Sequence, residues 1–248
     1  MKNKEKIKET YNLLAQEYSD LRKNKEKGGW FYNEYLEMPT TLKMLGNVKK
    51  KKILDMGCGP GFYAKILSER GAIVKGIDFS SSLIEIARKE VPEAEFTLGN
   101  AEKLPYKSEE FEIVLSALMM DHLKSWDKAL KEVKRVLKKR GLFVFSIKNP
   151  VTICLQKKKW FFKTFREIDR YFDEDWRIAK WKGKRVSGEG AHHHKTYGTI
   201  IKYLVKYGFE IIDCEDTKPL SSAKNIFPRE YQKTVNSPHF CTWKTVKK

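Results

Sequence analysis

A chain of 248 residues, 41% hydrophobic and 33% charged, can bury one large core with an inserted segment. No apolar run approaches the roughly eighteen residues that cross a bilayer, and the opening Met1-Lys2-Asn3-Lys4-Glu5-Lys6 has no apolar stretch behind it, so neither a membrane span nor a secretory leader is expected; the chain is read as cytoplasmic, with no membrane partner. Its formal charge of +18 avoids the middle of the chain (+6 over residues 1–52, +2 over 53–150, +10 over 151–248), and lysine outnumbers arginine, the residue suited to bidentate phosphate contacts, which favours a solvated lysine surface over a nucleic-acid site.

Ile7 to Leu21 has helical spacing, with Tyr11, Leu14 and Tyr18 in phase, and a polar break from Lys23 to Gly29 separates it from the aromatic segment Trp30 to Tyr35. Residues 1–51 therefore read as N-terminal helices packed beside or over a sheet. From residue 52 to 150, β-branched runs alternate with helical patterns. Lys52 to Asp55, Ile73 to Asp78, Glu95 to Leu98, Glu112 to Ser116 and Leu142 to Ile147 are expected as strands, with helices between them, the last ending before Gly141. Residues 151–195 are rich in Trp, Phe and Tyr and read as an inserted cap. In residues 196–248, Thr196 is a plausible N-cap for a helix closed by Gly208, and Phe209 to Cys214 and Phe240 to Val246 complete a seven-stranded sheet. The fold class is α/β, a Rossmann-like doubly wound and mainly parallel sheet. Cys58, Cys154, Cys214 and Cys241 are far apart and contain no CxxC pair, so they are expected to be reduced thiols.

The chemistry concentrates in ILDMGCGPGFYA, from Ile53 to Ala64. A strand ends at Asp55, and Gly57, Gly59 and Gly61 make a turn in which backbone can approach a ligand before a helix begins. The spacing is neither the Gly-x-Gly-x-x-Gly of dinucleotide folds nor a Walker loop. Asp78 closes the second strand about twenty residues on, at the offset where a carboxylate accepts both hydroxyls of a ribose.

These segments, followed by GNAEKLPY (Gly99 to Tyr106), FEIVLSALMMDHL (Phe111 to Leu123) and GLFVFS (Gly141 to Ser146), resemble the successive motifs of class I S-adenosylmethionine-dependent methyltransferases. A looser similarity to a small-molecule subgroup runs through Trp30 to Pro39, Ser146 to Pro150 and His193 to Thr196. The resemblance implies S-adenosylmethionine as cofactor. Gly57, Gly59 and Gly61, with Cys58, would line its methionyl part, Asp55 would place the ammonium directly or through water, and Asp78, with Phe79, would hold the ribose. Asn100 and Ala101 would meet the adenine, although the family commonly has Asp where Asn100 stands. Ser116, Ala117 and Leu118 would follow the fourth strand beside the sulfonium. Tyr32, Tyr35, Met119, Asn149 and His193 are the expected substrate contacts.

Displacement at a sulfonium carries a good leaving group, so alignment and exclusion of water can supply much of the catalysis, and a base is needed only where the acceptor must lose a proton. Asp121, His122 and His194 are the candidates. The subgroup often has a second histidine where Asn149 stands, and asparagine cannot act as a base. Three consecutive histidines, His192 to His194, cannot readily converge on one ion, so no metal is expected. The expected activity is methyl transfer to a small organic acceptor. An RNA or protein acceptor is the alternative, suggested by aromatics interleaved with Lys157 to Lys159, Lys163 and Arg166. Ser116 to Met119 opposes it, since exocyclic base amines are served by an Asn/Asp-Pro-Pro-aromatic sequence at that place. A non-catalytic cofactor-binding protein is the third reading.

Overall fold

A computed structural model describes residues 2–25, 30–161, 163–182 and 187–248; of the polar break expected at 23–29, only the part to Lys25 falls among them. The chain opens with α1 (Lys2–Lys23), then a π-helical run (Phe31–Glu37) that continues into α2 (Met38–Leu45). The alternating block follows as β1 (Lys52–Met56), α3 (Phe62–Glu69), β2 (Ile73–Asp78), α4 (Ser81–Glu90), β3 (Glu95–Leu98), β4 (Phe111–Ala117), α5 (Asp127–Val136) and β5 (Leu137–Lys148). The inserted segment holds two antiparallel hairpins, β6 (Leu155–Trp160) with β7 (Lys163–Ile168) and β8 (Trp176–Lys182) with β9 (Ser187–His193). Then come α6 (Tyr197–Lys206), β10 (Phe209–Asp216) and β11 (Phe240–Lys247), with two short helices, Ala223–Ile226 and Pro228–Thr234, between the last strands.

Seven strands form one sheet in the order β10-β11-β5-β4-β1-β2-β3, parallel throughout except for β11, which runs antiparallel to both neighbours. Ile53 and Leu54 on β1 are both fully buried, as expected for a central parallel strand covered on both faces. On α5, Ala129, Leu130, Val133 and Val136 are buried while Lys128 and Lys131 are exposed, and each fully buried aliphatic side chain contributes roughly 1.5–3 kcal/mol. The anticipated N-cap forms at Thr196, whose Oγ1 accepts from Thr199 N, and a second at Ser80, whose Oγ accepts from Leu83 N, each at 3.2 Å.

One boundary differs. The helix expected to reach Gly141 stops at Val136, and β5 begins at Leu137, whose backbone already pairs with Phe111. Leu137 is buried between sheet and helix, and Arg140 takes a left-handed turn at φ 59° before the strand resumes. Apolar spacing alone cannot separate the last helical turn from a strand that begins in the same core.

α1 lies across α4 and β9. Since β1 leads through β2 to β3 on one side, and β4 leads to β5 on the other, the carboxyl ends of β1 and β4 flank the crevice where such sheets bind ligands, and α1 covers it.

Candidate active site

The glycine turn is shaped by its neighbours. Gly57 has φ 82°, and a Cβ there would lie 2.5 Å from Met119 Cγ, so only glycine lets Met119 close down on the loop. A Cβ at Gly59 would meet nothing within 4 Å, which leaves that peptide open toward a ligand. Asp78 ties the two strand ends together: one carboxylate oxygen accepts from Gly59 N at 3.0 Å and the other from Ser80 N at 2.9 Å. Burial raises the Asp78 pKa, partly offset by these amide donors.

Above the turn lies a cavity of about 220 Å³. Gly57, Gly59, Asp78, Phe79 and the bend Ala117-Leu118-Met119 form its floor. Leu118 sits at φ 53° and donates its N–H to Ser146 O at 3.0 Å, a backbone conformation that costs energy in a non-glycine residue and is held by the surrounding structure. Tyr11, Tyr18 and Arg22 from α1 and Tyr32 and Glu37 from the π-helical run make the opposite wall. A smaller cavity shares Gly57, Asp78, Phe79, Met119 and His122 with the first, and is completed by Asn100 and Ala101 together with the apolar Ile7 and Ile77. Asn100 Oδ1 already accepts from Glu102 N at 3.0 Å, so it presents its amide with a fixed orientation.

Behind the glycine turn, Asp55 is 1% exposed and its Oδ2 has no hydrogen-bond partner. Burial, followed by the negative charge of Asp78, pushes its pKa up to about 7. A buried acid with an unmatched oxygen is costly unless a cation or donor reaches it. Arg22, its guanidinium 4.2 Å from the Phe62 ring centroid, brings a positive charge to the same end of the cavity.

At the other end stand Asp121, His122, Lys148 and His192. His192 Nδ1 lies 3.2 Å from Asp121 Oδ2, which also accepts from the Lys148 backbone N–H at 3.2 Å. Burial raises the Asp121 pKa, but the adjoining His192, with smaller contributions from His122 and Lys148, outweighs it and holds the carboxyl well below its usual range. His122 donates from Nδ1 to Ala191 O at 2.8 Å, which leaves Nε2 to accept from Tyr11 OH at 3.1 Å. Burial drops the His122 pKa to about 4, so it is neutral near pH 7. Asp121, His122 and His192 also bring three potential ligand atoms within 4.8 Å of one another, a convergence of sheet and hairpin that the run of consecutive histidines does not announce.

A model of a methyltransferase domain matches residues 54–145, the stretch from β1 to β5 that builds this floor. The chain is 30% identical over 176 residues to a demethylmenaquinone methyltransferase of Thermotoga maritima, covering 68% of this chain and 75% of that one. It is 34% identical over 220 residues to an uncharacterized protein of Methanocaldococcus jannaschii, covering 83% and 77%. The crystal structure of an S-adenosylmethionine-dependent methyltransferase from Mesorhizobium loti superposes with a TM-score of 0.74 at 26% identity, over 85% of this chain and 97% of that one. The chain belongs to the class I S-adenosylmethionine-dependent methyltransferases. It is an enzyme, and S-adenosylmethionine is its cofactor.

The residues present suit that molecule. The unmatched Asp55 oxygen, which lies behind the turn and lines neither cavity, would suit an ammonium reached directly or through water, Arg22 would suit a carboxylate, the Asp78 carboxylate a pair of hydroxyls, and the slot between Ile7 and Ile77, with Asn100 at its edge, a flat heterocycle. Of the residues expected from sequence, Gly57, Gly59, Asp78, Phe79, Asn100 and Ala101 line the two cavities, as do Ala117, Leu118, Met119, Tyr32, Asp121 and His122.

Others are set back. Cys58 is buried, with its Sγ where a Cβ on Gly76 would fall, Gly61 packs against Val91 and Ala87, and the Ser116 hydroxyl is enclosed within the sheet. Tyr35 stacks on Phe31 and supports the Phe227 cluster, so it packs the helix and not the substrate. Asn149 donates to Tyr197 OH and Asp216 Oδ1 and accepts from Val151 N, which makes it a fully engaged strut. His193 faces Lys195 Nζ at 3.2 Å, and His194 turns its Nε2 to the Tyr171 carbonyl at 2.8 Å, lining a small separate cavity beneath the site. The histidine that reaches the main cavity from this run is His192: alternate residues of a strand face opposite ways, which turns His193 away from the side covered by α1, and His194 lies beyond the end of β9.

Arg22, Lys148 and His192 were missed from the sequence. Tyr11, Tyr18 and Arg22 recur at seven and four residues on one helix face, which was the available signal.

Proposed function

We propose that the enzyme methylates a small organic acceptor seated between the tyrosine wall of α1 and the bend after β4, with His192 receiving the acceptor's proton and residues 151–195 closing the site as a cap. The Asp121–His192 contact at the cavity carries this reading. Asp121 stays ionised with Oδ2 3.2 Å from Nδ1, and although the two are not aligned as a hydrogen bond, its charge favours the proton on that nitrogen and so the lone pair on Nε2, the tautomer a base requires. Relatives named demethylmenaquinone methyltransferase support a small acceptor.

In this reading Asp55 and Arg22 hold the two ends of the methionyl group, Asp78 the ribose, and Asn100 with Ala101 the adenine. S-adenosylmethionine supplies a methyl group on a sulfonium, an electrophile that needs no further activation. Tyr11, Tyr18 and Tyr32 press the acceptor into line and exclude water. His122, neutral and fixed by Ala191, orients the Tyr11 hydroxyl. As the acceptor is methylated, its proton passes to His192 Nε2, and the Asp121 carboxylate stabilises the imidazolium. Lys148, half-buried near Asp121, keeps that corner electrically balanced.

The test is formation of S-adenosylhomocysteine in a screen of phenols, thiols, amines and carboxylic acids, followed by His192→Gln on the best acceptor. The expected result is unchanged cofactor affinity and a rate lower by about 10²–10⁴-fold. Wild-type turnover in the variant would remove His192 from the mechanism.

A further inference from the structure

A buried carboxylate stands on the wall of the main cavity across from the glycine turn. It belongs to Glu37, the last residue of the π-helical run, and the residue is 1% exposed. Side chains five apart on an α-helix point about 140° from each other, whereas the wider π turn, closed here by Met38 N donating to Asn33 O, brings them toward one face, so Tyr32 and Glu37 both reach the cavity. Three hydroxyls converge on the carboxylate. Tyr63 OH lies 3.0 and 2.8 Å from its two oxygens, and Thr41 Oγ1 and Ser146 Oγ donate to Oε1 at 2.8 and 2.6 Å. Oε1 is saturated by these contacts, while Oε2 takes Tyr63 alone and keeps a lone pair for a further one.

Hydroxyls replace the water around a carboxylate but bring it no opposite charge, and a charge held out of water without a counter-ion is costly. Among the described residues Glu37 forms no ion pair; Arg22, on the same wall, stands over the Phe62 ring and donates to Met38 Sδ at 3.5 Å. Ser146 fixes where along the cavity the carboxylate stands. Its Oγ accepts from Leu118 N at 3.1 Å, and on β5 it pairs with Ala117 at the end of β4. Glu37 therefore faces the bend that separates the glycine turn and Asp78 from the corner of Asp121 and His192. With the cofactor on the first and the acceptor at the second, the sulfur and its methyl group lie over this bend.

We propose that the Glu37 carboxylate is the counter-charge to the sulfonium of S-adenosylmethionine and makes the site discriminate the cationic cofactor from its neutral product. The inference rests on the placement of cofactor and acceptor in the proposed function, and not on the role of His192. During transfer the sulfur–methyl bond breaks, its electron pair stays on sulfur, and the methyl group bonds to the acceptor's lone pair. The positive charge beside Glu37 is thereby lost, and S-adenosylhomocysteine leaves without that contact to break. Since the charge on sulfur is already falling in the transition state, the contact serves binding and product release rather than the chemical step.

The test is calorimetric titration of S-adenosylmethionine and S-adenosylhomocysteine into wild type, Glu37→Gln and Ser146→Ala without acceptor, so its outcome is separate from that of the acceptor screen and the His192→Gln rate. Glu37→Gln keeps the shape and an oxygen for the hydroxyls and removes the charge. The expected result is a dissociation constant raised at least about tenfold for S-adenosylmethionine and changed by less than about threefold for S-adenosylhomocysteine. Ser146→Ala, which removes one hydrogen bond and keeps the charge, should leave the ratio of the two constants at its wild-type value. In the unaltered protein, a cofactor analogue with an ammonium group in place of the methylsulfonium should bind at least about tenfold tighter than S-adenosylhomocysteine, a reading that needs no variant to fold. Equal weakening of both ligands in Glu37→Gln, unchanged affinity for both, or equal binding of the ammonium analogue and S-adenosylhomocysteine to wild type would overturn the proposal. So would a Ser146→Ala protein that shifts the ratio as far as Glu37→Gln does, since the hydrogen bonds and not the charge would then set it.

Discussion

Replacing Asp78 by alanine should damage cofactor binding more than it damages the fold, and the structure allows both effects to be sized. Each Asp78 oxygen already accepts one backbone N–H, from Gly59 or Ser80, and so retains capacity for one ribose hydroxyl. Losing two such bonds at about 1–1.5 kcal/mol each amounts to roughly 2–3 kcal/mol, or a dissociation constant raised about 30- to 150-fold. The same change leaves two amide donors without their acceptor in a residue that is 8% exposed, which should cost about 1–2 kcal/mol of stability and a few degrees in Tm. Calorimetric titration with S-adenosylmethionine and S-adenosylhomocysteine, well below the melting transition of the variant, separates the two effects. Both ligands carry the ribose and should weaken together. A dissociation constant within threefold of wild type in folded protein would refute the ribose assignment, and weakening of only one ligand would place Asp78 at the sulfur end.

Asp55 should make cofactor binding proton-linked. With a native pKa raised to about 7 against an unfolded value near 4, it contributes stability that is complete below pH 4 and is lost as pH rises through 7; the difference between wild type and Asp55→Asn should therefore turn against the wild type by about 2–4 kcal/mol between pH 4 and 8, as read from denaturant melts. An ammonium arriving at this carboxyl favours the ionised form, so near pH 6 binding should release part of a proton, seen as a heat that depends on buffer ionisation enthalpy and vanishes in Asp55→Asn. A flat stability difference, or a buffer-independent heat, would put Asp55 outside the site. Gly57→Ala should lower stability by roughly 1–3 kcal/mol, because the new methyl group meets Met119 and the backbone stays at positive φ; Met119→Ala should recover only the steric part, a coupling of about 1 kcal/mol in a double-mutant cycle.

The seven strands, the glycine turn and Asp78 were legible because they are local: β-branched runs, a strand that ends in glycines, and an acid at a fixed offset are written in consecutive residues. The motifs therefore named Gly57, Gly59, Asp78 and Ala101, all of which line the cavities. Even there, spacing could not say which side chains face the ligand, and Cys58, Gly61 and Ser116 proved to be packed behind the turn because a neighbouring strand or helix occupies their other side.

The end of the cavity at Asp121 was decided by contacts between distant segments. Tyr11 meets His122 across 111 residues of chain, and His192 reaches Asp121 because β9 pairs with β8 in a register that turns His192, and not His193, toward α1, while His194 lies beyond the end of the strand. A single-residue shift in that register would exchange the two faces, and no feature of the run His192-His193-His194 fixes it. The sequence by itself determined the sheet, the turn and the cofactor it serves. Which histidine stands over the cavity was left to the tertiary structure, since a strand has two faces and only the packing of α1 against β9 selects one.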